Sequence, residues 1–153
     1  LLYEHLTDTN IMNICSINKL IFIILTKILF MHTKEWKSVS SRLVFPADLN
    51  DQGFLFGGRI LEWMDEAAYI TATRFTRQRM VTCKINNVEF LSPVPLHTIL
   101  TFNTKIDRVT ASQLFVNVEV VAEDMTSSSI KTAARGVLHF AGTDVDNKPV
   151  RIT

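Results

Sequence analysis

Apolar and polar residues alternate with a period of two along most of the chain after residue 80. Between residues 114 and 120, for example, valines alternate with polar side chains such as Asn117 and Glu119. This period is typical of a strand with one buried face. It predicts strands over residues 81–90, 98–109, 113–123 and 130–141, and a similar short segment predicts a first strand over 39–45. The connections after residue 90 are short, so we expect these strands to pair antiparallel.

The segment from Gly58 to Phe75 has a helical period instead. At about 100° per residue, its small and apolar side chains share one broad face: Ile60, Leu61, Met64, Ala67, Ala68, Thr71, Ala72 and Phe75. Glu62, Glu66 and Thr73 lie on the opposite side. The predicted order is therefore a strand, one long helix and four further strands, which is an α+β fold of about five antiparallel strands.

Residues 1–37 differ from the rest of the sequence. Their apolar run Leu20–Leu25 is shorter than the roughly 20 apolar residues that a membrane-spanning helix requires. We interpret residues 1–37 as an extension outside the domain, in part translated upstream of a natural start at Met31. A membrane or export element, or a helix packed on the domain, are the alternatives. The predicted domain occupies residues 38–150.

Composition and charge narrow the classes of function. The 153 residues suit one domain, and a net charge of +1 gives no general attraction to nucleic acid or to an anionic membrane. Two cysteines and four scattered histidines suggest neither a disulfide framework nor a metal site. We expect a cytoplasmic protein without a metal or cofactor.

Two features near the start of the helix are candidates for chemistry. The pair Gly57–Gly58 lies where the backbone N–H groups have no partner within the helix, so it predicts either an oxyanion site or a plain turn. Asp65 lies two turns later at the edge of the apolar face. It is either a general base or a boundary residue that hydrogen-bonds a loop.

Two further positions have a functional and a structural interpretation. The amide of Asn50 can donate to a carbonyl or orient a water molecule, or it can simply form an Asx turn. Arg79, with Arg74, Arg77 and Lys84, can meet the phosphates of a nucleotide. The alternative for these arginines is a solvated helix end.

The loop from Asn50 to Gly58, which reads Asn-x-x-Gly-x-x-Phe-Gly-Gly, is followed by Met64-Asp65 in the helix. Together they resemble the signature of the acyl-CoA thioester hydrolases of the hotdog superfamily, in particular the short bacterial kind with a single hotdog domain. The likeness extends over about residues 39–150. It departs at His97-Thr98, where the family commonly has Gly-Asp, and at Asn86 and Ala111.

The resemblance implies a hotdog fold, in which the sheet wraps the helix and two protomers pair their sheets edge to edge, with further assembly into hexamers. It assigns Asp65 as the catalytic carboxylate, Asn50 as the loop asparagine and Gly58 as the donor to the thioester carbonyl. We expect substrate contacts from Gly57, Thr82, Ser112 and Arg79.

The implied activity is hydrolysis of fatty acyl-CoA, with CoA as part of the substrate and not as a cofactor. Alternatives are a hotdog thioesterase for acyl-carrier protein or aryl-CoA, and a CoA-binding module without turnover. No nucleic acid or membrane partner is expected.

Overall fold

The computed structural model of the protein describes residues 36–152 and contains one antiparallel sheet and one long helix in that region. The elements are β1 (Lys37–Leu43), a 3₁₀ turn (Pro46–Asp48), α1 (Gly57–Thr76), β2 (Arg79–Phe90), β3 (Thr98–Val109), β4 (Leu114–Asp124), β5 (Ile130–Thr143) and β6 (Pro149–Val150). The strand order is β1-β3-β4-β5-β2, and the short β6 pairs with β5. The predicted α+β fold is confirmed, with a sixth, two-residue strand that the sequence pattern did not indicate.

Helix α1 packs against the inner face of the sheet. Its buried side chains are Ile60, Trp63, Met64, Ala67, Ala68, Thr71, Ala72 and Thr76. The buried face differs from the predicted apolar face in two ways. Trp63 and Thr76 are buried although they were not predicted to be, and Leu61 and Phe75 are only partly buried. Trp63 is covered because its ring meets Phe102 of β3 edge to face, with centroids 6.4 Å apart. A sheet that curls around the helix covers more of its circumference than a flat sheet would.

The ends of the strands follow local turn chemistry. The first strand ends at Leu43, two residues before the predicted end. Pro46 starts the 3₁₀ turn there, and the Asp48 carboxylate accepts a hydrogen bond of 3.0 Å from the Phe45 N–H. His97, where the resembling family has glycine, has a φ of 61°. The chain thus keeps the left-handed turn that glycine favours, although it carries a side chain there.

Strand β2 lies at one edge of the sheet and is irregular. It pairs with β5 on one side, and no strand of residues 36–152 pairs with its other side. Its register with β5 shifts between Thr82 and Lys84 and again between Asn86 and Glu89. Such bulges bend a strand and change the direction of its side chains. Strand β2, one of the strands that contact α1, is therefore an open and kinked edge of the sheet.

The predicted extension over residues 1–37, with its alternatives, lies outside the described residues except for Trp36 and Lys37. Lys37 is the first residue of β1. Across residues 36–152, no helix combines the length and the apolar character needed to cross a bilayer.

Candidate active site

The first turn of α1 presents unpaired backbone donors. The N-cap residue Phe56 is extended and supplies no side-chain cap, and no acidic residue lies in the first turn. The Phe56 carbonyl accepts the N–H groups of Arg59 and Ile60 at 2.9 and 3.2 Å. The N–H groups of Gly57 and Gly58 have no acceptor within residues 36–152. Two free donors therefore stand at the positive end of the helix dipole, where a developing oxyanion is stabilised.

Gly57 lies beneath the ring of Phe90. A Cβ atom built on Gly57 would lie 3.4 Å from Phe90 Cζ. The two residues line a recess of about 340 Å³ together with Asn50. Phe90 is exposed in half of its area, so an apolar ring borders the free amides on the solvent side. This recess therefore has hydrogen-bonding groups on one side and the apolar ring of Phe90 on the other.

Asn50 holds the loop that approaches the helix. Its Oδ1 accepts the N–H groups of Gln52 and Phe54, each at 3.0 Å. The Asx-turn interpretation is therefore confirmed. The carboxamide NH₂ has no partner among the described residues, and Asn50 lines the same recess as Gly57. The donor function of this amide stays a prediction.

Asp65 is partly buried and contacts the edge strand. The hydroxyl of Thr82 donates to Asp65 Oδ1 at 2.8 Å. No other hydrogen bond to the carboxylate comes from residues 36–152, so Oδ2 is available to a water molecule. Asp65 follows Gly58 by seven residues, about 10 Å along the helix axis, and its side chain leans toward the helix N-terminus.

The other predicted site residues line separate recesses or lie at the surface, although the Gly58 N–H follows that of Gly57 directly in the first turn of α1. Gly58 lines a recess of about 450 Å³ with Asp48, Arg59 and Glu62. Arg79 lines a third recess, on the C-terminal half of α1. Ser112 is exposed in the turn between β3 and β4. The single chain therefore brings Asp65 together with Thr82, and Asn50 together with Gly57.

Two residues at these recesses were not among the candidates that the sequence predicted. Phe90 forms the wall over Gly57, and Thr73 has a buried hydroxyl with no partner among the described residues. The sequence contains a signal for Thr73, because it is spaced by four residues from Tyr69 and by eight from Asp65 and thus lies on one helical ridge with them. No group of three or more His, Cys, Asp or Glu residues within 36–152 is arranged to hold a metal ion.

Residues 52–129 match the family model of the thioesterase superfamily. A curated relative, the uncharacterized acyl-CoA thioester hydrolase YkhA of Bacillus subtilis, is 33% identical over 119 residues, which cover 78% of this chain and 69% of that protein. The hexameric thioesterase of Yersinia pestis has 26% sequence identity and a TM-score of 0.71, with 74% of this chain and 94% of that chain covered.

The acyl-CoA hydrolase of Staphylococcus aureus was solved in complex with butyryl coenzyme A, coenzyme A and coenzyme A disulfide. It is 30% identical to this chain with a TM-score of 0.72, over 77% of this chain and 72% of that chain. Structures of that enzyme also exist with an asparagine, an aspartate or a threonine replaced by alanine, at positions with successive spacings of 15 and 17 residues. The chain belongs to the thioesterase superfamily, has its hotdog fold and is a thioester hydrolase.

Proposed function

We propose that the protein hydrolyses fatty acyl-CoA to a free fatty acid and CoA, with Asp65 as the general base. The observation that carries this proposal is the 2.8 Å hydrogen bond from Thr82 to Asp65. It holds a partly buried carboxylate on the helix that begins with two unpaired amides. A carboxylate kept in one orientation, with one oxygen free, is suited to accept a proton from water.

The S. aureus hydrolase supports the choice of residues. Asn50, Asp65 and Thr82 follow one another at spacings of 15 and 17 residues, the spacings of the three residue types replaced by alanine in that enzyme. That enzyme was crystallised with butyryl-CoA and CoA, which favours a CoA thioester as the substrate of this chain.

In the proposed reaction, water adds to the thioester carbonyl carbon while Asp65 takes its proton. The carbonyl oxygen becomes an oxyanion that accepts hydrogen bonds from the N–H groups of Gly57 and Gly58. The NH₂ group of Asn50 aligns the carbonyl or the water. When the tetrahedral intermediate collapses, the carbon–sulfur bond breaks and the thiolate of CoA leaves. Thiols have pKa values near 8.5, so the leaving group needs no strong acid.

The test of this mechanism is Asp65→Asn, which keeps the size of the side chain and its hydrogen bond to Thr82. We expect kcat to fall at least about a hundredfold with the fold retained. Glu66→Gln is the matched control, since Glu66 is the next carboxylate on the helix, is exposed and pairs with Arg42. An Asp65→Asn enzyme with the parent kcat would show that Asp65 is not the base.

The substrate class is tested with a panel of substrates: fatty acyl-CoA of different chain lengths, aryl-CoA, and acyl-carrier protein loaded with an acyl group. The assay detects the free thiol that hydrolysis releases. Thiol release from fatty acyl-CoA at the highest kcat/KM supports the proposal. Preferential release from acyl-carrier protein or aryl-CoA, or binding of CoA thioesters without thiol release, would contradict it in favour of the alternatives.

We further propose that two protomers associate through the open edge of β2 and that these dimers form a hexamer. The support is the unpaired side of β2 next to Asp65, and the hexameric state of the Y. pestis thioesterase. An unpaired edge strand readily accepts another strand. Sedimentation analysis should give the mass of a dimer or hexamer. Amide hydrogen exchange in β2 should slow as the protein concentration rises, and the exchange rate of the opposite edge strand β1 serves as the comparison. A monomer at all concentrations would contradict the assembly.

A further inference from the structure

Arg59 directly follows Gly57 and Gly58, whose backbone N–H groups are free, in the first turn of α1. Its side chain contacts two carboxylates. Nε lies 3.4 Å from Asp48 Oδ1, and Nη1 donates to Glu62 Oε2 at 2.6 Å. These three charged residues line the recess of about 450 Å³ that Gly58 also lines. One cation therefore holds two negative charges next to a proposed oxyanion donor.

The carboxylate of Asp48 is engaged on both oxygens. Oδ2 accepts the Phe45 N–H at 3.0 Å, and Oδ1 faces Arg59. The side chain is only 14% exposed, and the main-chain carbonyl of Asp48 accepts the N–H of the N-cap residue Phe56 at 3.0 Å. The acid is thus anchored to the residue that precedes the free amides. Without Arg59, Oδ1 would have no partner among the described residues, whereas those amides would still need an acceptor.

The stability of the helix alone does not explain this arrangement. Carboxylates are the preferred acceptors for the N–H groups at a helix start, and a cation there opposes the helix dipole. Helix α1 nevertheless has no side-chain cap at Phe56 and no acidic residue in its first turn, and it carries Arg59 at its third position. Donors that stay unoccupied until the transition state forms are, in contrast, what an oxyanion site requires.

We propose that Arg59 is a positioning residue that holds the carboxylates of Asp48 and Glu62 and so prevents them from capping the free amides of the first helical turn. The proposal rests on the proposed function, which gives these amides their role as oxyanion donors. A carboxylate bound there would occupy the donors through charge-assisted hydrogen bonds. It would also repel the negative charge that develops on the thioester oxygen.

The first variant is Arg59→Gln, which releases both carboxylates. We expect kcat for an acyl-CoA substrate to fall at least about tenfold and KM to change less than about twofold. The melting temperature should equal or exceed that of the parent, because a capping carboxylate stabilises the helix. Arg59→Lys keeps the positive charge and should retain most of the parent kcat. Arg135→Gln controls for the loss of a surface guanidinium, since Arg135 pairs with Glu89 on another part of the sheet.

The decisive variant is Asp48→Asn/Arg59→Gln/Glu62→Gln, which also removes the two competing charges. The side chains keep nearly the same shape, and the asparagine oxygen can still accept the Phe45 N–H. We expect kcat to return to within about threefold of the parent. Three results would overturn the proposal: a parent kcat in Arg59→Gln, a lower kcat there together with a lower melting temperature, or a triple variant as slow as Arg59→Gln.

Hydrogen exchange tests the same proposal without catalysis. If the parent hydrolyses no thioester, the proposed function fails, and the exchange rates of the Gly57 and Gly58 amides, measured by NMR, then decide on Arg59. Exchange should be at least about threefold slower in Arg59→Gln than in the triple variant, because a hydrogen-bonded amide is protected. Equal rates in the two variants would overturn the assignment of Arg59.

Discussion

Thr82 Oγ1 lies 2.8 Å from Asp65 Oδ1, which joins the middle of the helix to the edge strand of the sheet. The hydroxyl belongs to an exposed residue next to a bulge in β2. A hydrogen bond to a charged group contributes more than one between neutral groups, and it orients the carboxylate. The position of the proposed base therefore depends on the shape of β2 as well as on the helix.

The first prediction concerns this hydrogen bond. Thr82→Val removes the hydroxyl and keeps the branched shape that strands favour. We expect kcat to fall about tenfold, the factor that corresponds to about 1.4 kcal/mol of lost interaction in the transition state, with KM little changed. Steady-state kinetics on an acyl-CoA substrate measures both parameters.

Thr82→Ser is the control for this change because it restores the hydroxyl, and it should keep kcat within about threefold of the parent. Thermal unfolding should differ little among the three proteins, since Thr82 is exposed and such substitutions change stability by about 0.5 kcal/mol or less. A valine variant with the parent kcat would mean that the Thr82 hydroxyl does not contribute to the function of Asp65 in catalysis.

The second prediction separates the two functions of Asn50. Asn50→Asp keeps an oxygen that accepts the N–H groups of Gln52 and Phe54, but it removes the NH₂ donor. We expect kcat to fall at least about tenfold while the melting temperature stays near that of the parent. Asn50→Ala removes both functions, so it should lower kcat and also destabilise the loop by about 1 kcal/mol. An aspartate variant with full activity would reduce Asn50 to a turn residue.

The periodic spacing of apolar residues along the sequence predicted the helix and the long strands well. The helix was placed within one residue of its observed ends at Gly57 and Thr76, because its apolar face has a helical period and glycines precede it. Strands β3, β4 and β5 were found because buried side chains recur along each of them, whereas the edge strands β1 and β2 bury at most one side chain. These are local properties of the chain, and pattern analysis reads such properties directly.

The parts of the site that depend on pairing between distant segments were not predictable in the same way. Phe90 meets Gly57, and Thr82 meets Asp65, only because β2 folds back along the helix and is bent by its bulges. An alternating pattern does not record where a strand gains an extra residue. For the same reason Thr82 was expected to contact substrate, and its hydrogen bond to Asp65 was not foreseen.

The third prediction concerns the free amides of the first helical turn. Gly57→Pro removes one N–H group, and proline is well tolerated at the first position of a helix. The preceding residue Phe56 is already extended with a ψ of 129°, as a residue before proline requires. We expect kcat to fall about a hundredfold, the loss that follows removal of one oxyanion donor.

Gly57→Ala is the matched control, since it adds a Cβ atom at ordinary contact distance from Phe90 and keeps the N–H group. It should retain most of the activity. Circular dichroism checks that the helix persists in both variants. If the proline variant were as active as the alanine variant, the oxyanion would depend on Gly58 alone.

The fourth prediction concerns pH and the turn between β4 and β5. The pKa of Asp124 lies well below its usual range because its carboxylate accepts the Thr126 hydroxyl and the N–H groups of Thr126 and Ser127 at 2.7–2.8 Å. Because the pKa is lower in the folded than in the unfolded chain, the stabilisation is complete above about pH 4 and is lost as the pH falls below that value.

Asp124→Asn cannot ionise, so it should melt at a lower temperature than the parent at pH 7. That gap should narrow progressively in melting curves recorded from pH 5 to pH 2, because protonation removes the same interaction from the parent. Asp146→Asn, in the exposed turn after β5, controls for the general effect of removing a negative charge. A gap that stayed constant across this range would show that the turn is stabilised by its backbone hydrogen bonds, such as the 2.9 Å bond from the Asp124 N–H to the Ser129 carbonyl, and not by the charge of Asp124.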